Sequence, residues 1–144
     1  MDEVATDLFV GTVDAVGKES LLRNHGITTV VSLTHRESSG RSLPAETETD
    51  VIKHPIMDGP QADLYTFEQA VGDVVAALES GQRVFVCCSA GASRSPTVAA
   101  TAFALVAETD LDEAFQQVAD RRQVVDPHEA LIRHAARVYS DRRR

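Results

Sequence analysis

The stretch VFVCCSAGASRSP, residues 84–96, holds both cysteines of the chain and, six places after the second, an arginine. Between Cys88 and Arg94 stand Ser89, Ala90, Gly91, Ala92 and Ser93, none with much side-chain bulk. Small side chains let successive backbone N–H groups converge on one point. A loop that then feeds a helix adds the positive end of that helix, so the stretch reads as a cradle for a dianion. Arg94 can close the ring with two parallel hydrogen bonds to equatorial oxygens of a phosphoryl group. The same field acts on the thiol at the base of the cup, because sulfur beside an arginine and at a helix N-terminus ionises readily and the thiolate is the nucleophile. Such a set suits displacement at phosphorus: sulfur attacks in line while the cup neutralises charge on the equatorial oxygens.

The leaving alkoxide or phenoxide then needs a proton from another loop. The segment HPIMDGPQADL, residues 54–64, offers two carboxylates. Asp58 stands between Met57 and Gly59-Pro60, a turn able to project one carboxyl over the cup. Asp63 comes just before a helical pattern and reads as a cap. Ser95 has two readings, an N-cap ahead of Pro96 and a hydroxyl facing the cysteine, and one hydroxyl can serve both. Cys87 neighbours Cys88 on an extended stretch, where successive side chains face opposite sides, so it is expected to point away from the cup and into packing as a buried structural cysteine. A strained bridge to Cys88, with reversible oxidation, is its alternative.

The elements that must position these residues alternate early and turn helical late. DLFVG, the β-branched ITTVVSL, VIKHPI and RVFVC read as strands, the last as the most buried. A helical pattern from Val16 to His25 is closed by Gly26. YTFEQAVGDVVAALES carries Phe67, Val71, Val74, Val75 and Leu78 at helical spacing, with Thr66 and Gln69 as a capping box and Gly81 as the stop. A helix with Pro96 in its first turn follows the small-residue loop. Two more are announced by Asp110 with Glu113 and by Asp126, Pro127 and Glu129. The expected fold is α/β: a central, mostly parallel or mixed sheet flanked by helices, the phosphate loop between the last core strand and a helix, and a helical C-terminal part. One domain over 1–144 fits the length. The long irregular segment THRESSGRSLPAETETD borders the site in this reading, with Arg36 and Arg41 as solvated rim arginines.

Acidic residues outnumber basic ones 22 to 14, for a net charge of −8, a balance that repels nucleic acid and anionic lipid over most of the surface. Lys18 and Lys53 are the two lysines. An Asp/Glu surface with Arg in place of Lys suits a salt-rich cytoplasm, and an ordinary acidic domain suits the same composition. No leader is legible at MDEVATDLFV, and PTVAATAFALVA is too short and too rich in small residues to span a bilayer, so a cytoplasmic protein without membrane attachment is expected. His54, His128 and His134 have no metal-ligand spacing and read as structural or surface residues. Arg121 and Arg122 read as favouring the negative pole of a helix, and the RRR tail as frayed.

CCSAGASRSP is similar to the Cys-x5-Arg-Ser signature of the cysteine-dependent protein phosphatases, and specifically of the dual-specificity group. DLFVGTVDAVGKESLLRNHGITTVVSL resembles that group's opening strand, helix and strand, and HPIMDGP its acid loop. The resemblance implies Cys88 as nucleophile, Arg94 as phosphate clamp, Ser95 as the hydroxyl that helps the thiolate leave the phosphocysteine, and Asp58 as general acid and later base. Residues Ser89, Ala90, Gly91, Ala92 and Ser93 would supply the N–H cradle, with no metal and no cofactor. Low-molecular-weight tyrosine phosphatases and related arsenate reductases place the nucleophile before the acid, the reverse of the order here. Large tyrosine-specific phosphatases bring a tryptophan-containing acid loop, and this chain has no tryptophan. A compact domain implies the shallower pocket that admits phosphoserine and phosphothreonine as well as phosphotyrosine, with phosphorylated proteins as partners and a monomer as the simplest state. The family has histidine before the nucleophile where this chain has Cys87, which predicts a less acidic Cys88 or a looser cradle, with activity retained because the loop amides, the helix terminus and Arg94 supply most of the field. The alternatives are a phosphatase of a phosphoinositide, nucleotide or RNA 5′ end, a phosphate-binding module without turnover, and a sulfur transferase. The SAGAS loop lacks lysines for a highly charged lipid, the acidic surface disfavours RNA, and a binder or a transferase has no evident use for Cys88, Arg94 and Asp58 together.

Overall fold

Val84, Val86 and Cys88 pack into one hydrophobic cluster while Phe85 and Cys87 pack into a second on the opposite side. A stretch buried on both faces is what the centre of a parallel sheet demands. The computed structural model describes residues 1–34 and 49–143. In chain order the strands are β1 (Asp2–Ala5), β2 (Leu8–Thr12), β3 (Thr29–Ser32), β4 (Asp50–Lys53) and β5 (Val84–Cys88). The helices are α1 (Glu19–Asn24), α2 (Leu64–Glu79), α3 (Arg94–Ala107), α4 (Leu111–Arg121) and α5 (Glu129–Arg142). The strands form one sheet in the order β1-β2-β5-β3-β4. β2, β5, β3 and β4 run parallel and β1 runs antiparallel to β2, so the sheet is mixed, with β5 in the middle.

One face of the sheet is covered by α2, α3, α4 and α5, the other by α1 and a 3₁₀ turn over Val13–Gly17. Phe67, Val71 and Val74 of α2 are fully buried, each contributing about 1.5–3 kcal/mol by leaving water. α3 lies innermost. Its Val98, Ala99, Ala100, Ala102 and Ala104 are buried, and small residues on several sides let it approach sheet and helices alike. Its buried hydroxyls bond backward along the helix, Thr97 to the Ser93 carbonyl and Thr101 to the Thr97 carbonyl, both at 2.7 Å. The apolar character of PTVAATAFALVA is therefore core packing, and no helix among the described residues is long and apolar enough to cross a membrane.

Several local expectations are corrected. β1 was not anticipated. The pattern from Val16 to His25 divides into the 3₁₀ turn and α1, parted at Lys18. Thr66 does not head a capping box with Gln69. Asp63 is the N-cap of α2 and accepts from the Thr66 amide at 2.9 Å and hydroxyl at 2.7 Å. Asp110 stands at the N-cap of α4 without a side-chain cap bond, and Glu113 accepts from the Thr109 hydroxyl at 2.6 Å. α5 is capped by His128, not by Asp126. Of the RRR tail, Arg142 closes α5 and Arg143 lies over the Tyr139 ring, whereas Arg144 lies outside the described residues. Arg36 and Arg41 lie outside the described residues.

Candidate active site

The parallel strands β5 and β3 end side by side, and their carboxyl ends carry the chemistry. Cys88 is the last residue of β5 and is 1% exposed. The loop that follows turns at Gly91, whose φ is +66°. A Cβ there would meet the Gly11 carbonyl carbon and oxygen at 2.9 Å and the Arg122 guanidinium, so only glycine fits. The chain then enters α3 at Arg94. The Ser95 amide points back to Cys88 Sγ at 3.4 Å, and Ser95 Oγ lies 3.2 Å from the same sulfur. The amide and the hydroxyl of one residue in the first turn of a helix thus face one buried thiol. Ser95 lies inside α3 and is not its N-cap; that place belongs to Ser93.

Arg94 Nη1 donates to the Ile56 carbonyl at 2.8 Å and reaches the Leu33 carbonyl at 3.4 Å. Among the described residues these are its only hydrogen bonds, which leaves the Nε–Nη2 edge for a ligand. Its peptide partners lie at the end of β3 and at the start of the segment that carries Asp58. Ser93 donates from Oγ to Asp58 Oδ1 at 2.8 Å, so the carboxyl is tied to the small-residue loop. Gly59, at φ +100°, makes the turn beyond it. Asp58 therefore stands at the site, as its sequence context predicts. Asp63 does not, because its carboxylate faces the Thr66 hydroxyl and amide, which hold it below its ordinary 3.8 and ill suited to donating a proton. Thr34 and Ser89 meet hydroxyl to hydroxyl at 3.1 Å and join the end of β3 to the first loop residue.

Cys87 faces the second cluster, away from Cys88, and both thiols are free. Burial pushes the Cys87 thiol up from 9.0 to about 12, a hydrogen bond with Ser32 offsets part of that, and the neighbouring Cys88 adds to it. The unfolded chain releases this proton first as pH rises through 9.0, whereas the folded chain holds it until about 12. Stability from this group is complete below that window and falls across it, with a slope approaching ~1.4 kcal/mol per pH unit. Urea midpoints from pH 8 to 11 are expected to fall more steeply in the wild type than in Cys87→Ala.

Two contributors to the site escaped the sequence reading. Arg122, at the C-cap of α4, donates from Nε to the Gly91 carbonyl at 2.6 Å and from Nη1 to Asp2 at 2.8 Å, so it braces the loop beneath the cup and draws β1 to it. Two adjacent arginines end α4, and nothing in their spacing singles out the second. The segment before α5 is the other contributor. The Asp126 amide donates to the Ala92 carbonyl at 2.7 Å and the His128 amide to Ser93 Oγ at 2.9 Å. Among the described residues no three His, Cys, Asp or Glu side chains gather as a metal site would require.

The dual specificity phosphatase catalytic domain matches residues 8–140. Mouse dual specificity phosphatase 28 is 35% identical over 126 residues, 87% of this chain and 75% of that protein. Rat dual specificity protein phosphatase 5 is 30% identical over 127 residues, 88% of this chain and 32% of that longer protein. In three dimensions the crystal structure of human DUSP28 superposes with a TM-score of 0.86 at 25% identity, over 99% of this chain and 98% of that one. A mouse putative dual specificity phosphatase complexed with zinc tungstate gives 0.86 at 28% identity, over 97% and 86%. The chain belongs to the dual-specificity phosphatase family and is a cysteine-dependent protein phosphatase.

Proposed function

We propose that the chain hydrolyses phosphotyrosine and phosphoserine or phosphothreonine in proteins through a phosphocysteine on Cys88, all within one catalytic domain. The reading is supported above all by one observation: the Cys88 sulfur faces the Ser95 amide and hydroxyl at the start of α3 while Asp58 is tied to the same loop. The thiolate attacks phosphorus as Arg94 and the amides of residues 89–94 take up charge on the equatorial oxygens. Asp58 gives its proton to the departing oxygen, leaving an S–P bond and a carboxylate. That carboxylate then takes a proton from water. The water oxygen attacks phosphorus, the S–P bond breaks, and Ser95 Oγ donates a hydrogen bond to the departing sulfur. No cofactor enters. A tetrahedral oxyanion such as tungstate has the size of the expected ligand, and the mouse relative was crystallised as a complex with zinc tungstate. The net charge of −8 disfavours binding to nucleic acid or to an anionic membrane and leaves protein phosphates as the better substrate class.

The test is hydrolysis of aryl phosphates and of a phosphopeptide panel with chelator present. Turnover is expected to be insensitive to chelator. Asp58→Ala is expected to lose about a hundredfold with a poor leaving group and far less with nitrophenolate, because a good leaving group needs little protonation. Equal losses with both would remove Asp58 from the role. Absence of turnover in the wild type would overturn the reading as a whole.

A further inference from the structure

The short link between α4 and α5 touches the phosphate loop at two successive residues, Ala92 through the Asp126 amide and Ser93 through the His128 amide. The second contact has a consequence for the acid. Ser93 Oγ carries one proton, and its lone pair takes the His128 N–H at 2.9 Å, so the hydroxyl proton is directed to Asp58 Oδ1 at 2.8 Å. Oδ1 is thereby occupied as an acceptor, and Oδ2 is left to carry the proton that the leaving group takes.

The imidazole of His128 holds its own amide in position. Nδ1 accepts from the Ala130 amide at 3.0 Å and caps α5, which places the ring proton on Nε2. The ring also lies against the turn of the acid segment, since a Cβ on Gly59 would sit 3.6 Å from Nε2. One residue therefore joins the start of α5, the phosphate loop and the turn beside Asp58. We propose that His128 is a positioning residue for the general acid, acting through the Ser93 hydroxyl; this rests on the phosphatase reading above.

Three variants separate the parts. His128→Asn keeps the cap acceptor and the amide, and His128→Ala keeps the amide alone. His128→Pro removes both while fitting the observed φ of −64°. With a poor aryl leaving group, kcat is expected to fall about tenfold in His128→Pro, by a smaller factor in His128→Ala, and to return close to wild type in His128→Asn. With a good leaving group all three should stay within about twofold of wild type, which a general loss of structure would not allow. His128→Pro added to Ser93→Ala should cost no more than Ser93→Ala alone, since the two act on one carboxyl.

Amide hydrogen exchange at Ile56 and Ala62, which flank Asp58 and donate to the Leu33 and Gly59 carbonyls, gives a readout that needs no turnover. It is expected to quicken in His128→Pro and His128→Ala, to be unchanged in His128→Asn, and to leave β5 protected throughout. Losses that are equal across leaving groups, that add to those of Ser93→Ala, or that come with unaltered exchange at Ile56 and Ala62 would overturn the proposal. A wild type without turnover but with this exchange pattern would instead overturn the phosphatase reading, leaving only the hydrogen-bonded link from His128 through Ser93 to Asp58.

Discussion

A Cys88→Ser variant is expected to fold as the wild type does and to lose at least about four orders of magnitude in turnover of any phosphate ester. The fold should survive because Cys88 is a buried strand-end residue whose sulfur has polar partners, the Ser95 amide and hydroxyl, and a serine hydroxyl can meet the same two groups. Its stability should stay within about 1 kcal/mol of wild type. Turnover should vanish because an alkoxide is not accessible at neutral pH. A serine hydroxyl is far less acidic than a thiol, and one helix terminus cannot make up the difference. Phosphopeptide affinity, measured by calorimetry, is expected to persist in this variant, since the amides of the loop and Arg94 are untouched. Retained hydrolysis would show that another group attacks phosphorus.

Arg94→Lys is expected to lower kcat/KM by roughly a thousandfold and to weaken inhibition by tungstate in parallel, because a lysine is a point charge and cannot offer the planar fork. The guanidinium has a second duty that a lysine cannot fully meet. Its Nη1 donates to the Ile56 carbonyl at 2.8 Å and so holds the beginning of the acid segment to the start of α3. Arg94→Ala leaves the carbonyl of a buried residue without that donor and should cost a further ~1–2 kcal/mol in a urea titration, beyond its effect on rate. A Lys variant that kept near-wild-type kcat/KM would assign the clamp to the backbone amides alone.

What could be read in advance follows from how local each cause is. The spacing from Cys88 to Arg94, the helix that follows, and the double-sided burial of VFVCC lie within a single strand-loop-helix unit, where side-chain size and strand alternation dictate the outcome. Gly26 and Gly81 mark helix ends for equally local reasons. The placement of Asp58 was legible from its turn residues, but its partner was not, since Ser93 is 35 positions away and nothing near either residue announces the bond. β1 was illegible because its four residues gain strand geometry only from pairing with β2. The cap of α5 fell to His128 and not to Asp126 because the Asp126 amide is drawn to the Ala92 carbonyl, a tertiary contact that keeps Asp126 outside the helix. The place of Arg122 at a helix end points to the helix pole, yet its fork is claimed by Gly91 and Asp2, which the fold brings from 31 and 120 positions away. The orientation of Cys87 away from the site is legible, since alternation along a strand needs no knowledge of what lies beyond it.

Cys88 as the atom that carries the phosphoryl group is the claim on which the rest depends, and it can be observed as mass. Ser95→Ala, in which departure of sulfur from phosphorus is slowed, should be mixed with an aryl phosphate, quenched in acid within milliseconds, digested and examined by mass spectrometry. A peptide spanning residues 84–94 is expected to carry the mass of one phosphoryl group on Cys88, formed at the rate of the nitrophenolate burst and absent in Cys88→Ser. Turnover with no such adduct, or with the phosphoryl group on any other residue, would contradict it.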